Sequence, residues 1–516
     1  VYDGVKRADK DLNGTARFVG MGGAMGALGG DITTMGTNPA GIGIYRSNDV
    51  MTSFSYSAYG MESKYEGQKS TIDKNRWSFD NIGVVFATKI GNQTPLRYVN
   101  FGFNYKRSKS FYKNMSMSGM MGVVENPSNP GSPYYVSQTN SMALQATDAE
   151  RYVWDNSRQH LDFDNANRIF SDPDAGWLGA LGYQGGLTER DRIDNEPDLY
   201  VPFLPVEPSS VFNSREKGGI DQYDFNVSFN INDRVYLGLT IGAYDVDYDK
   251  YSGYDESYKR GEGYSLESYN NISGSGFDVK MGLILRPFEY SPFRIGFAVH
   301  TPTFYKLTYS TSAIVTNDYR DAKTDELKRI IVDTYDYVGD MKRDYRLVTP
   351  WKYNVSLGYT VGTSLALGAE YEYEDYSTMK FKYSSNDGGG DMEFENAEVK
   401  NCLKGEHTFR IGAEYKVIPE FAFRLGYNHI TASMKPEAYK WIQSNSIRTD
   451  TEYSNLGATN NYTLGFGYRG STFYADMAYQ YNTYKESFYA FDNLDLRATE
   501  ITNNNHKVLL TVGMRF

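Results

Sequence analysis

The chain has 516 residues and a formal net charge of −11, because 64 acidic side chains outnumber 53 basic ones. This balance excludes a nucleic-acid-binding protein, which needs a basic face. The 46 tyrosines and 50 glycines favour β-structure, and the single cysteine excludes a disulfide framework. We also expect a processed chain whose signal peptide has been removed, because it begins at Val1 rather than Met.

The first 48 residues differ in composition from the rest of the chain. Residues 20–30 carry no charge and are too rich in glycine for a strand. A nucleotide-binding loop is excluded because, with Gly20 and Gly22 as the first two glycines of a Gly-x-Gly-x-x-Gly motif, the third position is Met25. We therefore predict a compact segment over 1–48, in which small residues allow close approach of backbones.

Apolar and polar residues alternate along most of the remaining chain, which predicts strands with one apolar face. In 97–107, for example, Phe101 and Phe103 alternate with Asn100 and Asn104. The sequence has no run of 18 apolar residues, so it predicts no transmembrane helix. The fourteen predicted strands are 49–58, 78–89, 97–107, 221–231, 234–247, 273–287, 293–303, 344–360, 363–376, 404–416, 419–430, 458–468, 471–486 and 504–516.

The connections between these strands alternate between short and long. The long ones are 59–77, 108–220, 248–272, 304–343, 377–403, 431–457 and 487–503. Tight turns at one end and long loops at the other are typical of a transmembrane β-barrel. The sequence thus predicts an all-β, 14-stranded antiparallel transmembrane barrel over 49–516, in the outer membrane of a Gram-negative bacterium. Both termini are expected in the periplasm and the loops outside the cell, including a large insertion at 108–220 with a helix over 142–158.

A barrel of this width also gives the N-terminal segment a place. Side chains alone are too small to fill the lumen of fourteen strands, so we expect residues 1–48 to lie inside and plug it. Residues 16–24, followed by Asp31 and by Asn38-Pro39-Ala40-Gly41, resemble the hatch of the FadL/TodX family of outer-membrane transporters. The resemblance implies that Gly22 and Gly23 belong to the hatch together with the motif at 38–41.

By the same resemblance, the protein would take up hydrophobic molecules, such as long-chain fatty acids or aromatic compounds, by passive diffusion. In that family the ligand leaves sideways through the barrel wall. The insertion at 108–220 is longer than a capture loop of this family needs, which keeps an alternative open. The chain could be a structural or accessory subunit of a larger complex, for barrel insertion or nutrient uptake, that holds partners with its loops. Expected partners are outer-membrane lipid, a hydrophobic ligand and the barrel-insertion machinery.

The last strand ends in an aromatic residue with a free carboxylate. Its apolar face resembles the closing-strand signal that the barrel-insertion machinery reads. The residues of this face are Val508, Leu510, Val512, Met514 and Phe516.

Three carboxylates, Glu370, Glu372 and Glu374, share the predicted inward face of strand 363–376. Neighbours on one strand face lie about 7 Å apart, so they need cationic partners. The candidates on other inward faces are Lys280, Arg294, Arg410 and Arg424. A site for a ligand head group is one interpretation, and a salt-bridged barrel wall is the preferred one.

The sequence predicts no enzyme, cofactor or metal site. It has no Gly-x-Ser-x-Gly motif, and no two of its five histidines (160, 300, 407, 429 and 506) have metal-ligand spacing. Two acidic runs, 191–198 and 386–391, could offer oxygens to calcium but lack the EF-hand spacing. Solvated loops are the preferred interpretation of both runs.

Overall fold

The computed structural model describes residues 1–516 except 125–130, 132–133, 193 and 204–206. Nineteen strand segments form one closed antiparallel sheet, which builds a barrel wall of fourteen strands. The wall strands are β1 (Asp49–Tyr65), β2 (Gln68–Lys89), β3 (Leu96–Ser110), β4 (Ser209–Ile231), β5 (Val235–Ser257), β6 (Gly263–Leu285), β7 (Arg294–His300 and Phe304–Arg320), β8 (Met341–Val348 and Lys352–Val361), β9 (Leu365–Asp375), β10 (Gly405–Ile418), β11 (Phe421–Ile430), β12 (Tyr453–Arg469), β13 (Phe473–Tyr489) and β14 (Thr499–Arg515). Three further segments, Lys113–Met120, Leu327–Asp333 and Lys380–Tyr383, extend the sheet at one end.

The barrel closes by pairing its first and last strands. The β1–β14 ladder runs from Lys64↔Glu500 to Asp49↔Arg515. Beyond it, the backbones of Asn48 and Phe516 exchange hydrogen bonds of 3.1 and 3.2 Å. The fold class predicted from the alternation is therefore confirmed, and the even strand number leaves Asp49, where the wall begins, and Arg515, where it ends, at the same end of the barrel. The first residues of the chain lie near the other end, where the Tyr2 hydroxyl donates to Asn455 at 3.0 Å, so the expectation of both termini at one end is wrong for the N-terminus.

Alternation along each strand separates the lumen from the outer surface. Phe225 and Leu425 are 55% and 62% exposed on the outside, whereas Asn226 and Arg424 beside them are 5% and 2% exposed. A continuous apolar outer face with a polar interior is what a bilayer requires of a barrel. Within the described residues, none of the helices is long and apolar enough to span a membrane.

The strands are longer than predicted, and two of the predicted long connections are wrong. The segment 59–77 is hairpin, with Glu66-Gly67 as its turn, and 248–272 contains only a short loop at 258–262. The segment 304–343 likewise begins with strand up to Arg320. Where both faces of a strand meet water, apolar and polar residues no longer alternate, although the backbone hydrogen bonds to the neighbouring strand continue.

Proline interrupts two neighbouring strands that were predicted to be continuous. Pro302 breaks β7 and Pro350 breaks β8 at the same level, because proline has no N–H for the ladder. Threonine side chains replace some of the missing bonds: Thr349 Oγ1 accepts from the Thr303 N–H at 2.8 Å, and Thr301 Oγ1 from the Val279 N–H at 3.0 Å.

The insertion between β3 and β4 folds over the end of the barrel opposite Asp49 and Arg515. Its helices are Gln138–Ser157, Ala166–Ile169 and Trp177–Gln184, followed by a hairpin of Thr188–Asp191 and Leu199–Pro202. The first of these confirms the predicted helix. Its N-terminus is anchored on the buried carboxylate of Glu256, which accepts from the Ser137 hydroxyl and the Gln138 N–H at 2.8 and 3.0 Å.

Residues 1–48 lie inside the barrel. They form two short helices, Tyr2–Ala8 and Ala16–Gly20, and two 3₁₀-helices, Ile32–Gly36 and Pro39–Ile44. Their polar groups bond to inward residues on opposite sides of the wall: Ala16 N–H donates to Thr511 Oγ1 on β14 at 2.7 Å, and Gly26 N–H to Glu370 Oε2 on β9 at 3.0 Å.

Candidate functional site

The Asn-Pro-Ala motif fixes one turn of the N-terminal segment against the wall. Asn38 is fully buried, and its Oδ1 accepts the Ala40 N–H at 3.2 Å, so it caps the 3₁₀-helix that Pro39 begins. Its Nδ2 donates to the Leu283 carbonyl on β6 at 3.4 Å. Gly41 N–H closes the turn on the Asn38 carbonyl at 3.0 Å. The motif therefore joins the segment to a membrane-spanning strand.

Three glycines of the wall contact the N-terminal segment at residues 21–24. Gly368, Gly412 and Gly426 are in register across β9, β10 and β11. A Cβ at any of them would overlap the backbone of Ala24, Met21 or Gly22. Gly22 itself has φ +62°, and a Cβ on it would lie 2.8 Å from the Tyr427 backbone nitrogen. Segment and wall thus meet backbone to backbone, which larger residues would prevent.

The three inward glutamates are paired within the wall. Arg410 reaches Glu370 at 2.7 Å and Glu372 at 3.0 Å. Lys352 on β8 reaches Glu372 at 3.0 Å and Glu374 at 2.5 Å. Glu370 also accepts the Gly26 N–H, so this network holds the N-terminal segment rather than standing free in the lumen. Sequence reasoning missed Lys352, and only its inward position in the strand alternation could have signalled it.

The other predicted lumen cations have partners of their own. Lys280 binds Asp278 at 2.6 Å and Asp224 at 3.1 Å, with all three side chains buried. Arg294 donates to the Leu28 carbonyl of the N-terminal segment at 2.8 Å. The expectation that these two residues pair with the three glutamates is therefore wrong, because strand register places them beside other groups.

Arg424 is likewise held apart from those glutamates. It binds Glu414 and Asp476, each at 2.6 Å. Glu414 also binds Arg17 of the N-terminal segment at 2.9 Å. A second charged network thus fastens the segment to β10, β11 and β13.

A cavity of about 270 Å³ lies between the N-terminal segment and the wall. Residues 5–13 form one side of it, and the inward residues of β1, β2, β3, β13 and β14 form most of the rest. Apolar side chains and cations share its surface. The apolar ones include Leu12, Met61, Ile72, Phe111 and Leu456, and the cations include Lys74, Arg76, Lys109, Lys113 and Lys507. Carboxylates line it as well, and Lys109 and Lys507 are paired with Asp9 and Asp80. Such a surface suits a molecule with an apolar body and a polar end.

The wall beside this cavity is not continuously hydrogen-bonded. The β2–β3 ladder runs only from Lys89↔Tyr98 to Asn81↔Lys106. Among the described residues, 68–80 of β2 pair with β1 alone, while β3 and the segment Lys113–Met120 stay paired with β4. Across the gap, Arg76 reaches the Ser110 hydroxyl only at 3.5 Å.

Both edges of this gap line the cavity. Arg76, Ser78 and Asp80 do so from β2, and Arg107 and Ser110 from β3. On the outer surface beside the gap, Trp77 is 76% exposed and packs at a tilt against Tyr56, with ring centroids 5.0 Å apart. The cavity thus approaches the apolar outer face through a part of the wall that lacks a backbone ladder.

Comparison with known proteins identifies the fold. No family model matches the chain, and no curated protein matches it in sequence. Its structure is similar to that of a FadL homologue of Pseudomonas aeruginosa, with 12% identity, 98% of this chain and 99% of the other covered, and a TM-score of 0.51. The toluene transporter TodX of P. putida gives 10% identity, 98% and 99% coverage and a TM-score of 0.50.

The chain has the FadL-type barrel fold. At this level of identity the similarity concerns architecture, and residue roles come from the geometry above.

The residues of the proposed C-terminal signal lie on the outer face of β14. Val508, Leu510, Val512 and Phe516 are 44–60% exposed, and Met514 is partly exposed. β14 pairs with β1 over its whole length, so this apolar face belongs to the seam where the barrel closes.

Proposed function

We propose that the protein is an outer-membrane channel for the uptake of hydrophobic molecules, long-chain fatty acid-like or aromatic. The gap between β2 and β3 carries this proposal. It lies between an internal cavity and the apolar outer face, at a level where the backbone ladder between β2 and β3 is absent. A molecule with an apolar body could leave there into lipid once Asn13 of the N-terminal segment moves aside, because Asn13 donates to Asp80 Oδ1 on β2 at 3.0 Å and to the Arg107 carbonyl on β3 at 2.9 Å.

In this proposal residues 1–48 act as the hatch. The Asn38 cap, the glycine row at 368, 412 and 426, and the Arg17–Glu414 pair support a rigid plug. The start of β1 and the C-terminus would then lie at the periplasmic end, and the large loops outside the cell. Bilayer lipid would contact the apolar outer face, and the barrel-insertion machinery would recognise β14.

The insertion is better suited to covering the barrel than to holding a partner. Its Trp177 N–H donates to the Ser446 carbonyl at 3.0 Å, and Gln145 Nε2 to the Gln443 carbonyl at 2.9 Å, both in the loop between β11 and β12. Its buried apolar residues pack against Tyr254 and Phe488 of the strand ends. An accessory-subunit role would instead appear as partner proteins that dissociate when this insertion is removed.

A tryptophan placed in the cavity tests the proposal. Ser78→Trp would fill space beside the gap, whereas Asn75→Trp adds the same side chain to the outer face of the same strand. Uptake of a radiolabelled long-chain fatty acid and of toluene by cells that depend on this protein should fall several-fold for the first variant only. Equal uptake by both variants, at equal amounts of folded barrel, would refute the gap as the exit.

A further inference from the structure

Three side chains of types that can ligate a metal come together from separate parts of the insertion. Glu150 lies in the helix Gln138–Ser157, His160 follows that helix, and Asp198 precedes the strand Leu199–Pro202. Their donor atoms all lie within 4.8 Å of one another. His160 Nδ1 is 2.5 Å from Glu150 Oε1 and 3.8 Å from Asp198 Oδ2.

The two carboxylates are buried with few hydrogen-bond donors. Glu150 is fully buried and, within the described part of the chain, accepts only from the Leu161 N–H, at 3.0 Å, besides its contact with His160. Asp198 is 4% exposed and forms a loose ion pair with Arg190 at 3.7 Å, while the same guanidinium binds Asp164 at 2.5 Å. Burying two carboxylates costs free energy, which a loose ion pair offsets only in part and a bound metal ion would offset further.

A second feature points to a missing ligand. The Tyr200 hydroxyl is buried, with the residue 5% exposed, and it has no hydrogen-bond partner among the described residues. Because buried hydroxyl groups nearly always have a hydrogen-bond partner, the unpartnered Tyr200 hydroxyl indicates a place for a further ligand.

The geometry fits zinc. Two ligands of a tetrahedral Zn²⁺ with bonds of ~2.0–2.1 Å lie about 3.3 Å apart, between the two measured distances from His160 Nδ1. The imidazole disfavours Ca²⁺ and Mg²⁺, which prefer oxygen. The His160 ring packs against Trp154 at a tilt of 37°, with ring centroids 4.8 Å apart, and its side chain is 44% exposed, so the site has an oriented ring and an open side.

We propose that Glu150, His160 and Asp198 bind one Zn²⁺, which ties the long helix of the insertion to its hairpin. Two carboxylates neutralise the ion, and the open side leaves the fourth position to water or to the Tyr200 hydroxyl. The sequence shows no sign of this site, because the site contains only one histidine and its three ligands are ten and thirty-eight residues apart in the chain. One of the acidic runs, 191–198, supplies Asp198; Ile193 of that run lies outside the described residues.

Titration of the purified, folded full-length protein in detergent tests the site. After treatment with EDTA and its removal, Zn²⁺ should bind with one-to-one stoichiometry in a calorimeter. His160→Gln should weaken binding more than about 10-fold, since even outer partners of a ligand are worth about 10–100-fold. His506→Gln, at an exposed histidine on the barrel, should leave it unchanged. Co²⁺ should give the intense visible absorption of a tetrahedral site in the parent protein and not in His160→Gln.

Asp198→Asn gives an independent check if His160→Gln reduces folding. Zinc binding that is absent from the parent protein, or that both ligand variants retain in full, would overturn the proposal. So would equal loss in His506→Gln, because binding would then be non-specific.

Discussion

Gly22→Ala tests whether the N-terminal segment depends on close contact with the wall. Gly22 has φ +62°, and the added methyl would lie 2.8 Å from the Tyr427 nitrogen, which belongs to a strand and has no freedom to rotate away. Gly30→Ala is the matched control, because Gly30 has φ +66° but its methyl would meet nothing closer than Ile44 Cγ2 at 3.8 Å.

The two variants share one cost and differ in another. A left-handed backbone costs a non-glycine residue roughly 1–2 kcal/mol in either variant. Overpacking against the wall adds about 1–3 kcal/mol for Gly22→Ala alone. The extra term corresponds to about a 5–150-fold larger fraction of undocked segment.

Conductance of single proteins in planar bilayers measures that fraction. We expect open events to be several-fold to a hundredfold more frequent for Gly22→Ala than for Gly30→Ala, at equal heat-modifiable, folded barrel. Equal frequencies would refute the inference that the glycine contact holds the lumen shut.

Four further predictions concern other parts of the chain. Deleting residues 1–41 should leave an inserted barrel, since its strands pair with one another, and should make it conduct ions in bilayers; a folded but silent barrel would contradict the plug. Glu256→Ala should weaken docking of the insertion helix by about 3–6 kcal/mol, because two hydrogen bonds to a charged group are lost and each is worth ~1.5–3 kcal/mol; limited proteolysis within 134–192 should accelerate. Burial raises the pKa of Asp492 to about 7 from 3.8, so the docked loop favours the protonated carboxyl. Docking of the loop that carries Asp492 should therefore weaken as the pH rises from about 4 to 7. Hydrogen exchange should show this pH-dependent loss, and Asp492→Asn should abolish the dependence. Phe516→Ala should lower the amount of folded, membrane-inserted protein at native expression, and an unchanged amount would argue against the closing-strand signal.

The sequence determined the fold class because each strand needs its apolar face toward lipid and its polar face toward the lumen. That period of two residues is local, and it persists in every membrane-spanning part, as in Phe225 and Asn226. The break in composition at residues 1–48 is equally local. Strand ends beyond the apolar belt lack the period, so their lengths were underestimated.

Only the tertiary structure decided which residues meet. Strand register, a property of two distant segments, pairs Arg410 and Lys352 with the glutamates of β9 and leaves Lys280 to Asp224 and Asp278. The gap between β2 and β3 is a missing set of backbone bonds, for which side-chain pattern carries no signal. The cluster at Glu150 likewise depends on how the insertion folds back on itself. Local patterns fix which face a residue takes, whereas partners across the lumen follow from closing all fourteen strands at once.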